Sequence, residues 1–441
     1  EFEIDRVEII KGPGSIMYGS DAMAGVINFI TPPSVPEGKI VAEFRSGFQS
    51  NGNLFGSSFM NQGNLNGTSW QCRFSQKIAG NYSTPLDGYV ANTGFYELNA
   101  SGYVGLNRKW GYSQISFSTF NQKLGLPEGE RDSLGNFLIP FALNDSTIDF
   151  RSFTSTQLQG FDNSLGTPRQ SINHHRIVLS NNLFFGKSQL KFDLGFQQNN
   201  RFEFGNVLAP SEAEIAMQLN TLTLNSVYFF PEKNGGQVTT GLNVQHQTNE
   251  NSGLEFIIPN YTTSDFGAYI FARKYTGSWF VSAGLRGDFR SLQSQSLYLD
   301  SNGTAVDSSA FTITKFDEFG KHFISITGAA GVSYSTPSTV FRLNISRGFR
   351  SPNISELSSN GKHEGTFRYE IGNKELIPET SLQVDVGITF TSGHFNVELS
   401  GFYNTINNFI YLSKISSVFG GDSIADPTDP APTYTFRQGQ A

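Results

Sequence analysis

Apolar and polar residues alternate along most of the chain from Lys39 onward. In residues 382–390 apolar side chains occupy the even positions and polar residues or glycine the odd ones, and residues 190–196 and 279–289 repeat the alternation. A period of two is typical of a β-strand with one apolar and one polar face. Such stretches run for about 10 residues or more, whereas soluble strands usually have about 5–6. Tilted strands of this length cross a bilayer, so the pattern predicts transmembrane strands.

The connections between these strands alternate between short and long. Apart from a first tight hairpin at residues 49–53, the short turns fall at residues 64–67, 106–109, 186–188, 231–236, 276–278, 336–338 and 392–394. The long polar connections are residues 81–93, 123–170, 205–215, 251–262, 298–321 and 350–377. Outer-membrane barrels have this asymmetry, with short periplasmic turns and long extracellular loops. We predict roughly fifteen antiparallel strands in such a barrel.

Composition narrows the class of protein. Charged residues make up only 16% of the 441 residues, aromatic residues make up 14%, and the net charge is −7. Apolar runs long enough for a membrane helix are absent from the sequence, and the acidic balance argues against a nucleic-acid partner. These features favour a β-barrel in the bacterial outer membrane, with lipid around its apolar face. Aromatic residues at strand ends predict interfacial girdles: Trp70, Trp110, Tyr228, Trp279 and Tyr334.

The first residues follow a different pattern. Residues 6–11 predict a short strand, residues 15–18 a helical turn and residues 25–31 a second strand, and prolines then mark a linker. A unit of this size is too small to be stable alone. We therefore predict two parts, residues 1–36 and residues 37–441. The polar ends of the chain predict an internal piece of a longer protein.

Two motifs carry a family resemblance. Residues 6–31 resemble the end of the plug domain of TonB-dependent outer-membrane receptors, with Gly12, Tyr18, Gly19, Gly25 and Asn28 as motif positions. Downstream, a barrel segment of the same family is similar to residues 347–353, 356–357, 372–373 and 376–380. The resemblance implies an all-β fold: an incomplete antiparallel transmembrane β-barrel, about 15 of the 22 strands of plugged transporters, with the C-terminal part of a plug domain.

The resemblance also implies a function. Such receptors actively import a scarce nutrient, and the expected cargo is an iron–siderophore complex, haem, cobalamin or a metal chelate. The expected partners are that small-molecule chelate, outer-membrane lipid and the TonB energy-coupling complex, which would act through a segment upstream of residue 1. We expect no enzyme activity and no cofactor. A passive porin-like channel and an oligosaccharide importer of the same family remain as alternatives.

Strand parity, together with the family's Arg–Glu pairs, suggests a lock between plug and barrel. Glu379 and Glu398 both fall on the polar face of their predicted strands, which faces the lumen. We therefore predict that Arg6, or else Lys11, lies within about 4 Å of one of these carboxylates.

The candidate ligand residues lie in or beside the long connections. They are His174, His175, His363, Glu364, Arg368 and Tyr369. Neutral imidazole can capture a metal or haem, although histidines in polar loops are more often simply solvated. The sequence names no particular metal. It also predicts no catalytic residue, because the esterase-like run around Ser423 has no histidine after it to act as a base.

Overall fold

The computed structural model describes residues 4–11, 15–23, 25–127, 129–160, 166–363, 368–417, 422–423 and 433–441. For Ile10, Lys11, Ser15 and His363 the description covers the backbone and not the side chain.

The elements begin with a strand–turn–strand unit and continue as long strands joined by turns. Up to residue 125 they are β1 (Arg6–Lys11), α1 (Ser15–Tyr18), β2 (Gly25–Ile30), β3 (Lys39–Gln49), a 3₁₀ turn (Asn51–Asn53), β4 (Leu54–Leu65), β5 (Thr68–Ala79), β6 (Ser83–Thr84), β7 (Gly88–Tyr89), β8 (Phe95–Arg108) and β9 (Gly111–Gly125). The next are β10 (Phe137–Asn144), β11 (Thr147–Phe153), a 3₁₀ turn (Ser155–Leu158), β12 (Arg169–Phe185), β13 (Ser188–Phe204), β14 (Ile215–Phe229), β15 (Gly236–Asn251), β16 (Tyr261–Thr276) and β17 (Trp279–Ser294). The last are β18 (Leu297–Leu299), β19 (Ala305–Val306), β20 (Ile313–Phe316), β21 (Phe319–Ser335), β22 (Thr339–Arg350), α2 (Ile354–Ser358), β23 (Asn360–His363), β24 (Arg368–Ile371), β25 (Glu379–Ser392), β26 (Phe395–Asn407), β27 (Ile410–Lys414) and β28 (Tyr434–Gln440).

One large antiparallel sheet forms the wall of the molecule. It contains fifteen strands in the order β26-β25-β22-β21-β17-β16-β15-β14-β13-β12-β9-β8-β5-β4-β3. Strands that follow one another along the chain pair as antiparallel neighbours, apart from the small strands in the long connections. The all-β fold and the strand number predicted from the alternation are confirmed.

The two faces of the sheet differ as the alternation predicts. On β25, Ser381 and Gln383 are 1% and 6% exposed, whereas their neighbour Leu382 is 47% exposed. The polar set therefore faces the lumen, and the apolar set faces outward to lipid. At the short-turn end, the rings of Trp279 and Tyr334 lie 4.8 Å apart, a position typical of an interfacial girdle.

The short turns have the chemistry that tight hairpins require. Asn66 and Gly67 between β4 and β5 have φ values of 52° and 67°, and Asn234 and Gly235 before β15 have 51° and 72°. Asparagine followed by glycine is the preferred pair where both residues need a positive φ. These turns therefore bring the strands back without a long connection.

The long connections contain structure that the sequence reading left as loops. Residues 123–170 hold the β10–β11 hairpin, residues 298–321 hold β18, β19 and β20, and residues 350–377 hold α2, β23 and β24. Strands β23, β24, β28 and β27 join in a four-stranded sheet at the long-loop end, which we call the mouth sheet. None of the helices in the described ranges is long and apolar enough to cross a membrane.

Candidate functional site

The short segment between β1 and β2 packs against the inner face of the wall. We call residues 15–23 the docked segment. Its helix α1 contacts β16, β17, β21 and β22, and Ile16, Ala22 and Met23 are each only 7% exposed. Gly284 on β17 makes room, because a Cβ there would lie 3.0 Å from Ile16 Cδ1. The docked segment therefore occupies the lumen beside these four strands.

Gly19 brings the docked segment against a guanidinium group. Its φ is +84°, in the left-handed region that favours glycine. A Cβ at this position would lie 2.8 Å from Arg286 Nη2, so the guanidinium group would have to shift away from its present partners. Glycine is therefore favoured at this position first by its backbone conformation and then by the close approach of Arg286.

Arg286 on β17 links the wall to the docked segment. Its Nη1 donates to the main-chain oxygen of Ile16 at 3.3 Å and to Asn243 Oδ1 on β15. Its Nε and Nη2 donate to Asp288 at 2.8 and 2.6 Å. The side chain is only 3% exposed, so its charge depends on these partners. The bidentate arrangement fixes the direction of the guanidinium group toward the docked segment.

A second set of contacts holds the end of the docked segment. The Asp21 amide donates to the Phe349 carbonyl at 3.2 Å, and the Ser351 amide donates to Ser20 Oγ at 3.3 Å. Asp21 is exposed to the water of the lumen, but partial desolvation of its carboxyl raises the pKa above its ordinary value, and this effect exceeds the opposing attraction of Arg290 and Arg350. The charged form of Asp21 is therefore held at some cost in the docked state.

A cavity of about 200 Å³ separates the docked segment from the wall beside these contacts. Its lining includes Tyr18, Ser20 and Asp21 from the docked segment. Across the cavity, Arg290 forms a bidentate ion pair with Asp265 at 2.5 and 2.9 Å. The interface is therefore polar and incompletely packed, which suits a contact that forms and separates better than a dry apolar core would.

Arg350 connects the docked segment to the long-loop end. Its Nε donates to Glu379 at 2.8 Å, and its Nη1 donates to both oxygens of Glu356 at 2.7 and 2.9 Å. Glu356 also forms a capping box with Asn353 at the start of α2. Because Phe349 and Ser351 flank Arg350, the same strand end that holds the docked segment also holds α2.

Helix α2 packs into an apolar core inside the long-loop end of the barrel. The core joins residues of β17, β21, α2, the following loop and β27: Leu292, Phe323, Ile354, Leu357, Leu376 and Ile410. Residues that the sequence reading treated as a polar connection therefore fold inward and cover this side of the lumen.

Of the predicted ion pair between plug and barrel, the structure shows the inward-facing glutamate but not its pairing with Arg6. Glu379 faces inward as parity predicts, but its partners are Arg350 and the Ile410 amide. Arg6 instead pairs with Glu8 at 3.0 Å on its own strand and lies 3.8 Å from Asp5. The prediction that Arg6 pairs with a barrel glutamate is therefore wrong, because nearer carboxylates on its own hairpin satisfy it.

The other two lock residues have different outcomes. Glu398 lies on the lumen side as parity predicts, since it pairs with Thr389 in register, but it is exposed and lies 3.9 Å from Arg342. The Lys11 side chain lies outside the described residues, so its part in a lock stays a prediction.

The motif positions of residues 6–31 fall in the docked segment and in the β1–β2 hairpin. Tyr18 and Gly19 line the contact with the wall, Gly25 begins β2 opposite Lys11, and Asn28 pairs with Glu8 in the hairpin. Gly12 lies outside the described residues.

The candidate histidines do not form one cluster. His174 and His175 were expected beside a loop, but they lie within β12, where neighbours point to opposite faces. His174 faces the lumen 3.3 Å from Asn199 Nδ2, and His175 faces outward. The His363 side chain and Glu364 lie outside the described residues. Within the described ranges, groups of three or more His, Cys, Asp or Glu residues suited to a metal are absent.

The remaining two ligand candidates belong to the mouth sheet. The Tyr369 hydroxyl donates to Asn360 Oδ1 at 2.7 Å, and Lys315 Nζ lies 5.8 Å from the Tyr369 ring. Arg368 stacks on Phe436 of β28 at 5.3 Å. Burial raises the pKa of the Tyr369 hydroxyl and lowers the pKa of the Lys315 ammonium group. These two side chains therefore combine aromatic surface with a cation that is partly desolvated.

The main contact residues of the docked segment were not predicted from the sequence. Arg286, Asp288 and Arg290 are separated by two positions each, so all three share the lumen face of β17. A run of three charges on one strand face was the available signal. Ile16, the partner of Arg286 in the docked segment, is 270 positions away, which no local pattern reveals.

Comparison with known proteins agrees with this geometry. The family model described as "TonB dependent receptor-like, beta-barrel" matches residues 43–441. A curated relative, the "Probable TonB-dependent siderophore receptor PirA" of Acinetobacter baumannii, is 23% identical over 91% of this chain and 53% of its own length.

Solved structures share the fold. The Serratia marcescens hemophore receptor HasR, in complex with its hemophore and haem, matches all of this chain and 65% of its own, at 13% identity and a TM-score of 0.70. The copper transporter OprC matches 99% of this chain and 62% of its own, at 13% identity and a TM-score of 0.72. The chain spans about half the length of the PirA relative and under two thirds of these structures. With a family model that matches nearly the whole chain and an inward-docked segment against a fifteen-stranded wall, this chain belongs to the TonB-dependent receptor family of outer-membrane proteins.

Proposed function

We propose that the receptor containing this chain imports a scarce nutrient across the outer membrane by TonB-dependent active transport. The cargo would be an iron–siderophore complex, haem, cobalamin or another metal chelate. The names of the similar proteins, which refer to a siderophore, haem and copper, support this range of cargo. Residues 1–36 would be the end of the plug domain and its linker, and residues 37–441 a part of the barrel.

The observation that carries the proposal is the docked segment held on the lumen wall by Arg286. A pathway along this wall requires the contacts of Ile16, Gly19 and Asp21 to separate. Energy from an inner-membrane TonB complex, delivered through a segment upstream of residue 1, would supply that work. A passive porin-like channel has no use for a segment docked in its lumen, so this alternative is the weaker one.

Ligand capture is proposed for the mouth. Tyr369 and Arg368 lie on the mouth sheet, which Arg350 links through Glu379 and β27 to the strand end that holds the docked segment. His174 faces the lumen and is the histidine best placed to meet a cargo inside. Ligand contacts by His363 and Glu364, and a plug–barrel ion pair of Lys11, are proposed from the sequence alone.

The test is uptake by the full-length receptor in cells that lack other receptors of its class. Ferric siderophores, haem, cobalamin and copper would be supplied one at a time, with and without a proton uncoupler and with and without the TonB protein. We expect saturable uptake of one of these cargoes that stops when either energy source is removed. Energy-independent, non-saturable entry of small solutes would instead identify a porin, and energy-dependent entry of oligosaccharides alone would move the cargo to glycans.

A further inference from the structure

The outward face of the barrel carries a cation within its apolar band. Arg347 on β22 pairs in register with Gly328 of β21 and Leu382 of β25. Its nearest outward neighbours are apolar and exposed, with Leu285 at 63% and Ile326 at 64%. The residues before and after it, Ser346 and Gly348, belong to the buried inner set. Arg347 therefore points to the lipid side of the wall.

Arg347 also marks the point where two strands part. The pairing of β21 with β22 ends at Gly328 and Arg347, and above this point β22 turns toward the docked segment. Arg347 Nη1 donates to the Ile326 carbonyl at 2.8 Å, which lies on β21 two residues past the last pair. One donor of the guanidinium group thus replaces a lost ladder bond.

The remaining donors of Arg347 have no acceptor among the described residues. A guanidinium group has five N–H donors, and hydrocarbon offers none of them a partner. An anionic group can accept hydrogen bonds from these N–H donors, and the oxygens of a phosphate match the geometry of the guanidinium group. The surroundings of Arg347 therefore favour an anionic group that reaches the side of the barrel from within the membrane.

An apolar groove runs from Arg347 along the same outward face. It has a volume of about 520 Å³. Small residues of β16, β17 and β21 form its floor, and larger ones flank it: Ala272, Ala283, Gly328 and Ala330 below, with Ile270, Leu285, Ile345 and Leu382 beside them. The groove is continuous with the lipid-facing surface and has the cation at one end. This combination fits an acyl chain that carries a charged headgroup.

The depth of Arg347 agrees with such a ligand. Gly328 lies six positions along β21 from Tyr334 of the periplasmic girdle, about 20 Å along the strand. With a strand tilt of about 35–45°, this is about 15 Å above the girdle. The side chain then reaches farther toward Ile326, on the extracellular side. In an apolar band about 25 Å tall, the guanidinium group therefore lies in the outer half of the membrane.

We propose that Arg347 and this groove bind one phosphate-bearing lipid of the outer leaflet. The phosphate would accept from the free donors of Arg347, and an acyl chain would fill the groove over Ala283 and Ala330. The bound lipid would also seal the wall where β21 and β22 part.

The experiment counts lipids retained by the full-length receptor. The purified receptor is exchanged into mixed micelles with phosphatidylglycerol or with diacylglycerol of the same acyl chains, which lacks the phosphate, and native mass spectrometry counts the bound molecules. We expect one retained phosphatidylglycerol molecule, and about tenfold weaker retention in Arg347→Gln. Arg342→Gln is the matched control, because Arg342 lies on the same strand but on the lumen face.

A second variant keeps the test valid if Arg347→Gln does not fold. Ala330→Leu fills the groove floor and leaves Arg347 in place, and we expect it to lower the retention of both lipids. Unchanged heat-modifiable gel mobility shows that each variant is folded. Equal retention in Arg347→Gln and wild type, equal loss in Arg342→Gln, or full displacement of the lipid by inorganic phosphate would each overturn the proposal.

Discussion

Two lumen-facing arginines of this barrel have opposite environments. Arg286 on β17 is buried and hydrogen-bonded to Asp288, Asn243 and the docked segment. Arg176 on β12 is exposed and lines a cavity of about 400 Å³ beside residues 31–34. The same alternation places both side chains inward. A lumen charge therefore becomes a docking element only where neighbouring strands supply acceptors that direct it at a partner.

We expect the largest effect on docking from a substitution at Arg286. Arg286→Ala removes one partner of a buried ion pair and leaves Asp288 uncompensated, so we expect the docked segment to lose about 3 kcal/mol of protection. Hydrogen exchange of residues 15–23 in the full-length receptor measures it. Arg176→Ala is the control and should change this protection by less than about 0.5 kcal/mol. Equal effects of the two substitutions would show that Arg286 does not hold the docked segment more strongly than Arg176 does.

Gly19 tests the contact between Arg286 and the docked segment from the side of the docked segment. Gly19→Ala combines a left-handed backbone with a Cβ at 2.8 Å from Arg286 Nη2, and we expect undocking by about 2 kcal/mol. Gly38 has nearly the same φ, +83°, with open space around its Cβ. Gly38→Ala therefore reports the backbone cost alone, about 1 kcal/mol in global stability. If Gly19→Ala weakens docking by no more than the backbone cost that Gly38→Ala reports, Arg286 does not restrict the residue at position 19.

We expect a smaller effect from weakening the hydrogen bonds between Arg350 on β22 and Glu356 on α2. Glu356→Gln weakens the charged hydrogen bonds from Arg350, so we expect α2 to lose about 1.5 kcal/mol of protection against hydrogen exchange. Glu398→Gln removes an exposed carboxylate 3.9 Å from Arg342 and should have almost no effect. A Glu398 effect as large as that of Glu356 would contradict this account of the strand end.

The smallest expected effect is the pH dependence of docking through Asp21. Partial desolvation of the carboxyl raises the pKa of Asp21 in the docked state, so that state binds more protons than the undocked one. Docking is therefore strengthened as pH falls from above the raised pKa toward the ordinary value near about 3.9, and it is weakest above both. Hydrogen exchange of residues 15–23 across this range should show the slope, and Asp21→Asn should abolish it. A slope of the opposite sign would contradict the desolvation argument.

Much of the wall could be predicted from the sequence. A period of two is a local property, so the fifteen strands, the lumen side of Glu379 and the turns at Asn66 and Asn234 all follow from neighbouring residues. The contacts inside the barrel are not local. Arg286 meets Ile16 across 270 positions, and Arg6 is satisfied by Glu8 before it can reach a barrel glutamate.

The long connections were harder to predict for a related reason. Polar residues around α2 read as a solvated loop, but Leu357 and Leu376 find their apolar partners on β17 and β21. His174 and His175 read as a pair near a loop, but continued pairing with β9 and β13 places them inside a strand on opposite faces. Burial against distant strands decides both cases.

A reversible cross-link tests whether the docked segment must leave the wall for cargo to pass. Ser20 and Ser351 are in contact through a 3.3 Å hydrogen bond, so Ser20→Cys with Ser351→Cys, in a Cys72→Ala background of the full-length receptor, places two thiols at the interface. We expect oxidation to lower energy-dependent uptake at least about tenfold, equivalent to about 1.4 kcal/mol in the barrier, and a reductant to restore it. Uptake that continues unchanged with the cross-link complete would contradict it.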